Sequence, residues 1–260
     1  MERAQKTRRA EKERENLMCL PYRRRASAQF DWSNPAKLSV LQPKHMLFAD
    51  LPEPGPAVEA IADGASLLRR FAEPLASDLI AAVEQVAIGA PFRHMITPGG
   101  YRMSVAMTNC GPVGWVSDSR GYRYSPKDPT TGEAWPAMPE VFRTLAVNAA
   151  AAANFPDFHP DACLINRYEP GTKLSLHQDK DERDFAAPIV SVSLGLPAVF
   201  LWGGLKRNDK VRRIRVESGD IAVWGGPSRL TYHGVSPLAD GEHPLTGRTR
   251  INLTFRYAVG

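Results

Sequence analysis

The sequence predicts a mainly β domain of the sandwich or barrel class with flanking helices, on three observations. From Ala162 onward short apolar runs recur at Cys163–Tyr168, Ile189–Leu194, Val199–Trp202, Arg212–Val216, Ile221–Trp224 and Arg250–Tyr257, separated by Gly, Pro and Asn turns. Two earlier stretches, Pro74–Ala87 and Val141–Ala153, carry helical periodicity instead. With 260 residues, 43% of them hydrophobic, the chain can bury one sizeable core and still carry a tail.

Taken in order, the chain begins with a charge run, Met1 to Glu15, that has no apolar stripe. Residues 1–45 hold 11 Lys/Arg against 5 Asp/Glu, which predicts a basic N-terminal extension outside the fold, disordered or a lone solvated helix. Residues 46–260 hold 22 against 23, so the net charge of +5 belongs to the extension. Whole-chain basicity therefore says little about nucleic-acid binding by the body, where any phosphate-binding surface must be a local patch. Lys206, Arg207, Lys210, Arg212, Arg213 and Arg215 form the densest such cluster. Ser66–Phe71 reads as a strand, and Pro74–Ala87 as a helix with proline in its first turn and Leu75, Leu79, Val83 and Val86 along one stripe. Thr97-Pro-Gly-Gly100 signals a turn and Met103–Thr108 a strand. Gly111 to Pro136, rich in Gly, Pro, Tyr and Trp, reads as a covering loop region. Val141–Ala153 is alanine-rich and ends at Asn154 and Pro156.

Some classes are excluded. No apolar run reaches the roughly 18 residues of a membrane-spanning helix, and no secretory signal is expected at the N-terminus. Cys19, Cys110 and Cys163 are odd in number and lie far apart without C-x-x-C spacing. They predict free thiols in a reducing cytoplasm, neither a disulfide frame nor a zinc site.

The chemistry gathers on Leu174-Ser-Leu-His-Gln-Asp-Lys-Asp-Glu182. His177 and Asp179, two apart, would point to one face of an extended strand. His233, in Leu230-Thr-Tyr-His-Gly-Val235, is the best-placed third ligand. Two His and one carboxylate with three open positions suit non-haem Fe(II) and O2 activation. H-x-D alone also occurs as a solvated loop or a hydrogen-bonded pair, so its neighbours decide. In Arg250-Ile-Asn-Leu-Thr-Phe-Arg256, alternation puts Arg250, Asn252, Thr254 and Arg256 on one strand face and Ile251, Leu253, Phe255 and Tyr257 on the other. Buried guanidinium groups need anionic partners, and a dicarboxylate would satisfy both arginines through fork-shaped bonds. The alternative is an outward, solvated face with surface ion pairs.

With His177, Asp179, His233, Arg250 and Arg256 in this order, the chain resembles the Fe(II)- and 2-oxoglutarate-dependent dioxygenases. Longer strings, Asp161–Tyr168, Leu174–Glu182, Pro188–Gly195, Gly203–Asn208 and Asn252–Arg256, are similar to those of the AlkB-type alkylated-DNA repair dioxygenases. That resemblance runs from about Met46 to the C-terminus. It implies a double-stranded β-helix (jelly roll) core in one domain over 46–260, with helices bracing one side and a nucleotide-binding lid near 90–136. It implies Fe(II) on His177, Asp179 and His233, with 2-oxoglutarate as cosubstrate and O2 at the remaining position. Arg250 would meet the remote carboxylate of the cosubstrate, supported by Asn252 and Tyr168. Arg256 and Asn166 would lie nearer the metal end, and Arg167 falls in the same cosubstrate-binding string.

By the same resemblance, Trp115, Tyr122, Arg123 and Tyr124 match substrate positions, with Trp115 pressing the base against His177. Asp181 would accept from the exocyclic amine of adenine or cytosine, and Arg207 matches a position near the substrate backbone or base. The implied activity is oxidative demethylation of 1-methyladenine and 3-methylcytosine in single-stranded DNA, or RNA, releasing formaldehyde, succinate and CO2. A cytoplasmic monomer with no membrane partner is expected. Taken singly, Asn166 and Tyr168 could be ordinary strand residues, Trp115 a local core plug and Asp181 a solvated loop acid. Two other classes stay open. An oxygenase acting on a protein or small molecule would keep the metal and arginine sites but not Trp115, Tyr122 and Asp181. A non-catalytic nucleic-acid binder on a cupin-like shell would lack at least one ligand. His45, His94, His159 and His243 have no ligand-like neighbour and read as ordinary.

Overall fold

The computed structural model describes residues 57–259, so the expected basic extension lies outside the described residues. Strands β1 (Val58–Ala62) and β2 (Ala65–Leu68) precede helix α1 (Ala76–Gly89). Next come β3 (Ala106–Cys110), β4 (Gly114–Asp118), β5 (Gly121–Ser125) and helix α2 (Glu140–Ala152). The C-terminal half carries eight strands and one 3-10 turn (Gly226–Ser228): β6 (Ala162–Tyr168), β7 (Leu174–His177), β8 (Ile189–Gly195) and β9 (Ala198–Trp202), then β10 (Arg212–Val216), β11 (Ile221–Trp224), β12 (His233–Val235) and β13 (Arg250–Arg256). A seven-stranded sheet runs β1-β2-β11-β8-β13-β6-β3 and a four-stranded sheet β10-β9-β12-β7, both antiparallel throughout. These two sheets are the jelly roll.

Alternation along the large sheet decides what each face does. Ile251, Leu253 and Phe255 of β13, with Cys163 and Ile165 of β6, join Leu79, Val83 and Val86 of α1 and Phe142 and Leu145 of α2 in one core. The opposite face meets the small sheet in a second core of Leu164, Tyr168, Phe200, Trp202 and Trp224. Arg250, Asn252, Thr254 and Arg256 therefore point between the sheets, and all four are buried. The solvated-face alternative for β13 is excluded.

Four expectations shift. The strand expected over Ser66–Phe71 ends at Leu68, because Arg70 takes a positive φ of 57° and breaks the extended run. Pro74 lies in a separate 3-10 turn (Glu73–Leu75) ahead of α1, where a fixed φ suits the tighter turn. β3 runs Ala106–Cys110, later than the expected Met103–Thr108, because its pairing with β6 starts at Ala106 opposite Arg167. The segment Gly111 to Pro136, expected to be loop, contains the β4–β5 hairpin. Its two strands are five residues each and part polar, so no apolar period marks them. Gly121 opens the return strand at φ +110, and Asp118 closes the hairpin by pairing Arg123 at 2.8 Å. Cys110 and Cys163 are free and buried, opposite each other in the β3–β6 register; Cys19 lies outside the described residues. Among the described residues no helix is long and apolar enough to cross a membrane.

Candidate active site

Register brings the two histidines together. His177 ends β7, His233 begins β12, and the antiparallel ladder sets them opposite with ring centroids 4.4 Å apart. Each ring donates Nδ1–H to a carbonyl two residues back, His177 to Ser175 O at 2.9 Å and His233 to Thr231 O at 3.0 Å. A carbonyl can only accept, so Nδ1 carries a proton on each ring, and Nε2 is the nitrogen that faces Asp179 and can bind a metal once unprotonated. Asp179 lies two residues past the end of β7 rather than on the strand. Its Oδ1 is 3.5 Å from His177 Nε2 and its Oδ2 3.9 Å from His233 Nε2. All three donor atoms fall within 4.8 Å of one another. The pairing slips between His233 and Val235, and a Cβ on Gly234 would meet Leu174 O at 2.6 Å. Only glycine fits that irregularity beside the ligand.

Arg256 secures the carboxylate, its Nε and Nη2 donating to Asp179 Oδ2 at 3.0 and 2.6 Å. Oδ2 is thus committed to the guanidinium, and Oδ1 is left for a cation. Burial alone would raise the Asp179 carboxyl, but the charge of Arg256 and the His177 hydrogen bond hold it well below the usual carboxylate range. Burial and the neighbouring His177 push His233 down to about 4. Burial lowers His177 too, but its bond to Asp179 outweighs that and leaves it raised. An ionised carboxylate with a neutral His233 is the state a divalent cation requires.

Further in, Glu182 balances the second arginine of this cluster. Its Oε2 accepts from Arg229 Nη2 at 3.0 Å, while Oε1 lies 3.3 Å from Arg256 Nε and accepts the Tyr124 hydroxyl at 2.6 Å. Arg229 also donates to Asp179 O at 2.8 Å and Ala187 O at 3.0 Å. Two buried arginines face two buried carboxylates, so no charge is left uncompensated.

Arg250 is different. It is 2% exposed, yet only Nη2 has a partner, Ser193 Oγ at 2.9 Å. Its Nε and Nη1, the Tyr168 hydroxyl and Asn166 Oδ1 are buried without any hydrogen bond. The guanidinium lies over the Tyr168 ring, 4.9 Å from its centroid, a charge-over-ring contact rather than a hydrogen bond. Burial raises the Tyr168 phenol, opposed by the Arg250 charge, so it stays a donor. Asn252 ties β13 to β8, donating to Ser191 Oγ at 2.8 Å and Val192 O at 2.9 Å. Buried donors left unpaired cost about 1–3 kcal/mol each, and a carboxylate reaching Arg250 would remove that cost. The residues present therefore fit both a divalent metal and a dicarboxylate.

Both groups open on one cavity of about 650 Å³, lined also by Trp115, Tyr122, Asp181 and Arg207. Trp115 and Tyr122 stack with centroids 5.6 Å apart and planes 12° from parallel. Trp115 Nε1 donates to Asp181 Oδ2 at 2.8 Å. The Arg207 guanidinium lies 5.3 Å from the Tyr232 ring centroid. Three residues of the expected set are not brought to this cavity. Arg123 alternates away from Tyr122 and pairs with Asp118. Tyr124 is turned to Glu182. Arg167, between Asn166 and Tyr168 on β6, points to the other face and lies 4.6 Å over the Phe92 ring. The histidines read as ordinary stay so: His94 Nδ1 meets Met103 O at 2.9 Å, His243 Nδ1 accepts from Leu245 N–H at 3.2 Å, and His159 is exposed. His45 lies outside the described residues.

A sequence profile of the 2OG-Fe(II) oxygenase superfamily matches residues 64–256, the span that carries every one of these groups. The chain belongs to that superfamily. This oxygenase is 62% identical over 212 residues to the alpha-ketoglutarate-dependent dioxygenase AlkB of Escherichia coli (strain K12), covering 82% of this chain and 97% of that one. It is 45% identical over 181 residues to an AlkB homolog of Caulobacter vibrioides (strain NA1000 / CB15N), covering 69% and 80%. A solved structure of OsALKBH1 aligns with a TM-score of 0.69 at 34% identity, covering 77% of this chain and 99% of that one. The oxygenase is an Fe(II)- and 2-oxoglutarate-dependent dioxygenase using O2.

Sequence reasoning about this oxygenase missed four contributors: Glu182, Arg229, Ser193 and Trp224. Trp224 lies 4.8 Å from the His233 ring, and its Nε1 is buried without a partner. Glu182 sits in the quoted metal string, but only the fold shows that it turns inward. Arg229 had no signal, since nothing in its neighbourhood marks a guanidinium that closes on residues 42 to 50 positions away.

Proposed function

We propose that this oxygenase is an oxidative demethylase of N-alkylated bases, 1-methyladenine and 3-methylcytosine foremost, in single-stranded DNA or RNA. It would release formaldehyde, succinate and CO2, acting as a monomer in the cytoplasm. One observation carries the reading: a stacked aromatic pair and a carboxylate stand in the cavity that holds the metal triad and Arg250. A base in nucleic acid must leave its stack before a methyl group can be reached, and an aromatic face holds it once extruded. An oxygenase acting on a protein or small molecule has no need of that pair.

His177, Asp179 and His233 would hold iron, which with 2-oxoglutarate and O2 supplies the oxidising power that hydroxylates an N-methyl carbon. Arg250, through Nε and Nη1, and the Tyr168 hydroxyl would bind the remote carboxylate of the cosubstrate. Arg256 keeps Asp179 ionised and aimed. Trp115 and Tyr122 would stack the base, and Asp181 would accept from its exocyclic amine through the oxygen that Trp115 does not occupy. The hydroxymethyl group so formed leaves the ring nitrogen as formaldehyde. Arg207 would meet the strand backbone at the cavity rim.

The test is formaldehyde release from a 3-methylcytosine oligonucleotide with Fe(II), 2-oxoglutarate and ascorbate. Formaldehyde and succinate should appear one for one. Succinate without formaldehyde from every N-methylated base offered would end this reading in favour of a protein or small-molecule substrate.

A further inference from the structure

We infer that the β9–β10 turn and the exposed side of β10 form a phosphate track that holds the substrate strand beyond the base in the cavity. This rests on the nucleic-acid reading above and adds to it a surface outside the cavity. Residues 205–216 carry Lys206, Arg207, Lys210, Arg212, Arg213 and Arg215 against a single acid, Asp209. Asp209 is turned into its own turn, Oδ2 accepting the Lys206 backbone N–H at 2.9 Å. Two arginines are engaged: Arg212 donates to Ile61 O at 2.5 Å, and Arg215 pairs with Glu217 at 2.8 Å. Arg207 is stacked on Tyr232 at the cavity rim. Lys206, Lys210 and Arg213 remain exposed, with no side-chain partner among the described residues.

Register places the backbone of this cluster, and alternation puts Arg213 and Arg215 on the outer face of β10, opposite Ile214 and Val216, which pack inward. Arg212, Trp202, His233 and His177 are successive partners across the small sheet. At about 4.8 Å per strand, the backbone of β10 at Arg212 is about 10 Å from that of His233. A strand rising about 3.4 Å per nucleotide covers that distance in about three nucleotides. Arg207 joins the two regions, since it lines the cavity and belongs to the turn.

A simpler account is that charge on β10 guards an open sheet edge, since β10 ends the small sheet. Charges of either sign would serve that purpose, and Lys206 and Lys210 are not on the edge strand at all. Unpaired cations of one sign crowded together repel each other unless an anionic chain lies across them. Residues 46–260 are otherwise slightly acidic, so this patch is not part of a general positive field.

The experiment uses the full chain with Lys206→Gln, Lys210→Gln and Arg213→Gln combined, against Arg143→Gln with Arg248→Gln as the control. Fluorescence anisotropy follows an unmodified single-stranded oligonucleotide of about 15 nucleotides, as DNA and as RNA, across a salt series. Each lost phosphate contact should lower the slope of log K against log salt by about 0.7, so the triple variant should lose about 2 in slope and bind about tenfold more weakly. On a 3-methylcytosine oligonucleotide of that length KM should rise similarly, while kcat, and KM for a methylated trinucleotide, stay as in the unmodified enzyme. Unchanged Kd and slope overturn the track, as does an equal loss on the trinucleotide. Displacement of the oligonucleotide by polyglutamate at comparable concentration assigns the patch to an acidic protein and also overturns it. If the strand binds through these residues but no base is demethylated, the track stands and the demethylase reading falls.

Discussion

The wall of the cavity and its mouth are built in opposite ways. Arg250 and Tyr168 ride on central strands of the large sheet, and His177 faces His233 across one backbone ladder. Their positions follow from register, which cannot slip by one residue without turning every side chain to the other face. The mouth is the β4–β5 hairpin, which belongs to neither large sheet. It reaches the metal-bearing segment through two side-chain bonds, Trp115 to Asp181 and Tyr124 to Glu182. A lone two-stranded hairpin is marginal in water, so these contacts and its bonds to Asn109 hold it in place. The groups of the wall are thus fixed by backbone, and those of the mouth by side chains.

The most severe way to break the wall is to remove a metal ligand. His177→Ala, Asp179→Ala or His233→Ala should each abolish both succinate and formaldehyde formation, a larger loss than the 10- to about 100-fold typical of residues behind a ligand. Titration calorimetry with Fe(II) or a surrogate divalent ion should show the metal site lost, and His159→Ala should behave as the unmodified protein. Retained metal affinity and turnover in any of the three would remove that residue from the site.

The arginines separate next. Arg250→Ala should mainly raise the 2-oxoglutarate requirement, by about ten- to a hundredfold for a charge-assisted hydrogen bond of about 1.5–3 kcal/mol. Arg256→Ala should lower kcat as well and weaken metal binding, because Asp179 loses its partner. Identical profiles for the two variants would mean that the cosubstrate and the metal carboxylate are not held separately.

Substitutions at the mouth should leave the wall working. Trp115→Ala and Asp181→Ala should keep most of the 2-oxoglutarate decarboxylation that runs without substrate. Both should lose demethylation, Trp115→Ala by the roughly five- to 150-fold expected from about 1–3 kcal/mol of stacking. Lesions that present a carbonyl where cytosine presents an amine, such as 3-methylthymine, should be poor substrates, and Asp181→Asn should narrow the gap. Equal rates on 3-methylcytosine and 3-methylthymine, unchanged in Asp181→Asn, would show that Asp181 does not read the base.

The smallest effect is expected from the N-terminal segment. Removing residues 1–45 should leave Tm and turnover within error of the full chain, since that segment holds a net excess of six positive charges and no apolar stripe in its opening run. A clear drop in either would place part of the extension in the fold.

The wall was legible in the sequence because strand alternation is short-range. Arg250, Asn252, Thr254 and Arg256 share a face by counting in twos, and the six apolar runs expected from Ala162 onward fall within a residue or so of the observed strands; the short β7 and β12 had no such run to mark their bounds. The mouth was not legible as structure. Tyr122 and Tyr124 sit in five-residue strands whose neighbours include Asp118 and Arg123, which mask any apolar period. Arg167 was grouped with its neighbours because the string was taken whole; counting in twos puts it on the face opposite Asn166 and Tyr168, where it lies over Phe92. Glu182 and Arg229 depend on contacts across the fold, which no local pattern reports.

On the proposed reading of the cavity, the Trp115–Asp181 hydrogen bond makes one side chain responsible for two separate acts of recognition. The indole face grips any flat ring and is indifferent to its identity. The indole N–H pins one carboxylate oxygen and so orients the other, the one that distinguishes an amine from a carbonyl. Grip and discernment are therefore coupled in a single residue. A change that loosens the ring would also let the carboxylate swing, so affinity for damaged bases and the ability to tell them apart should decline together.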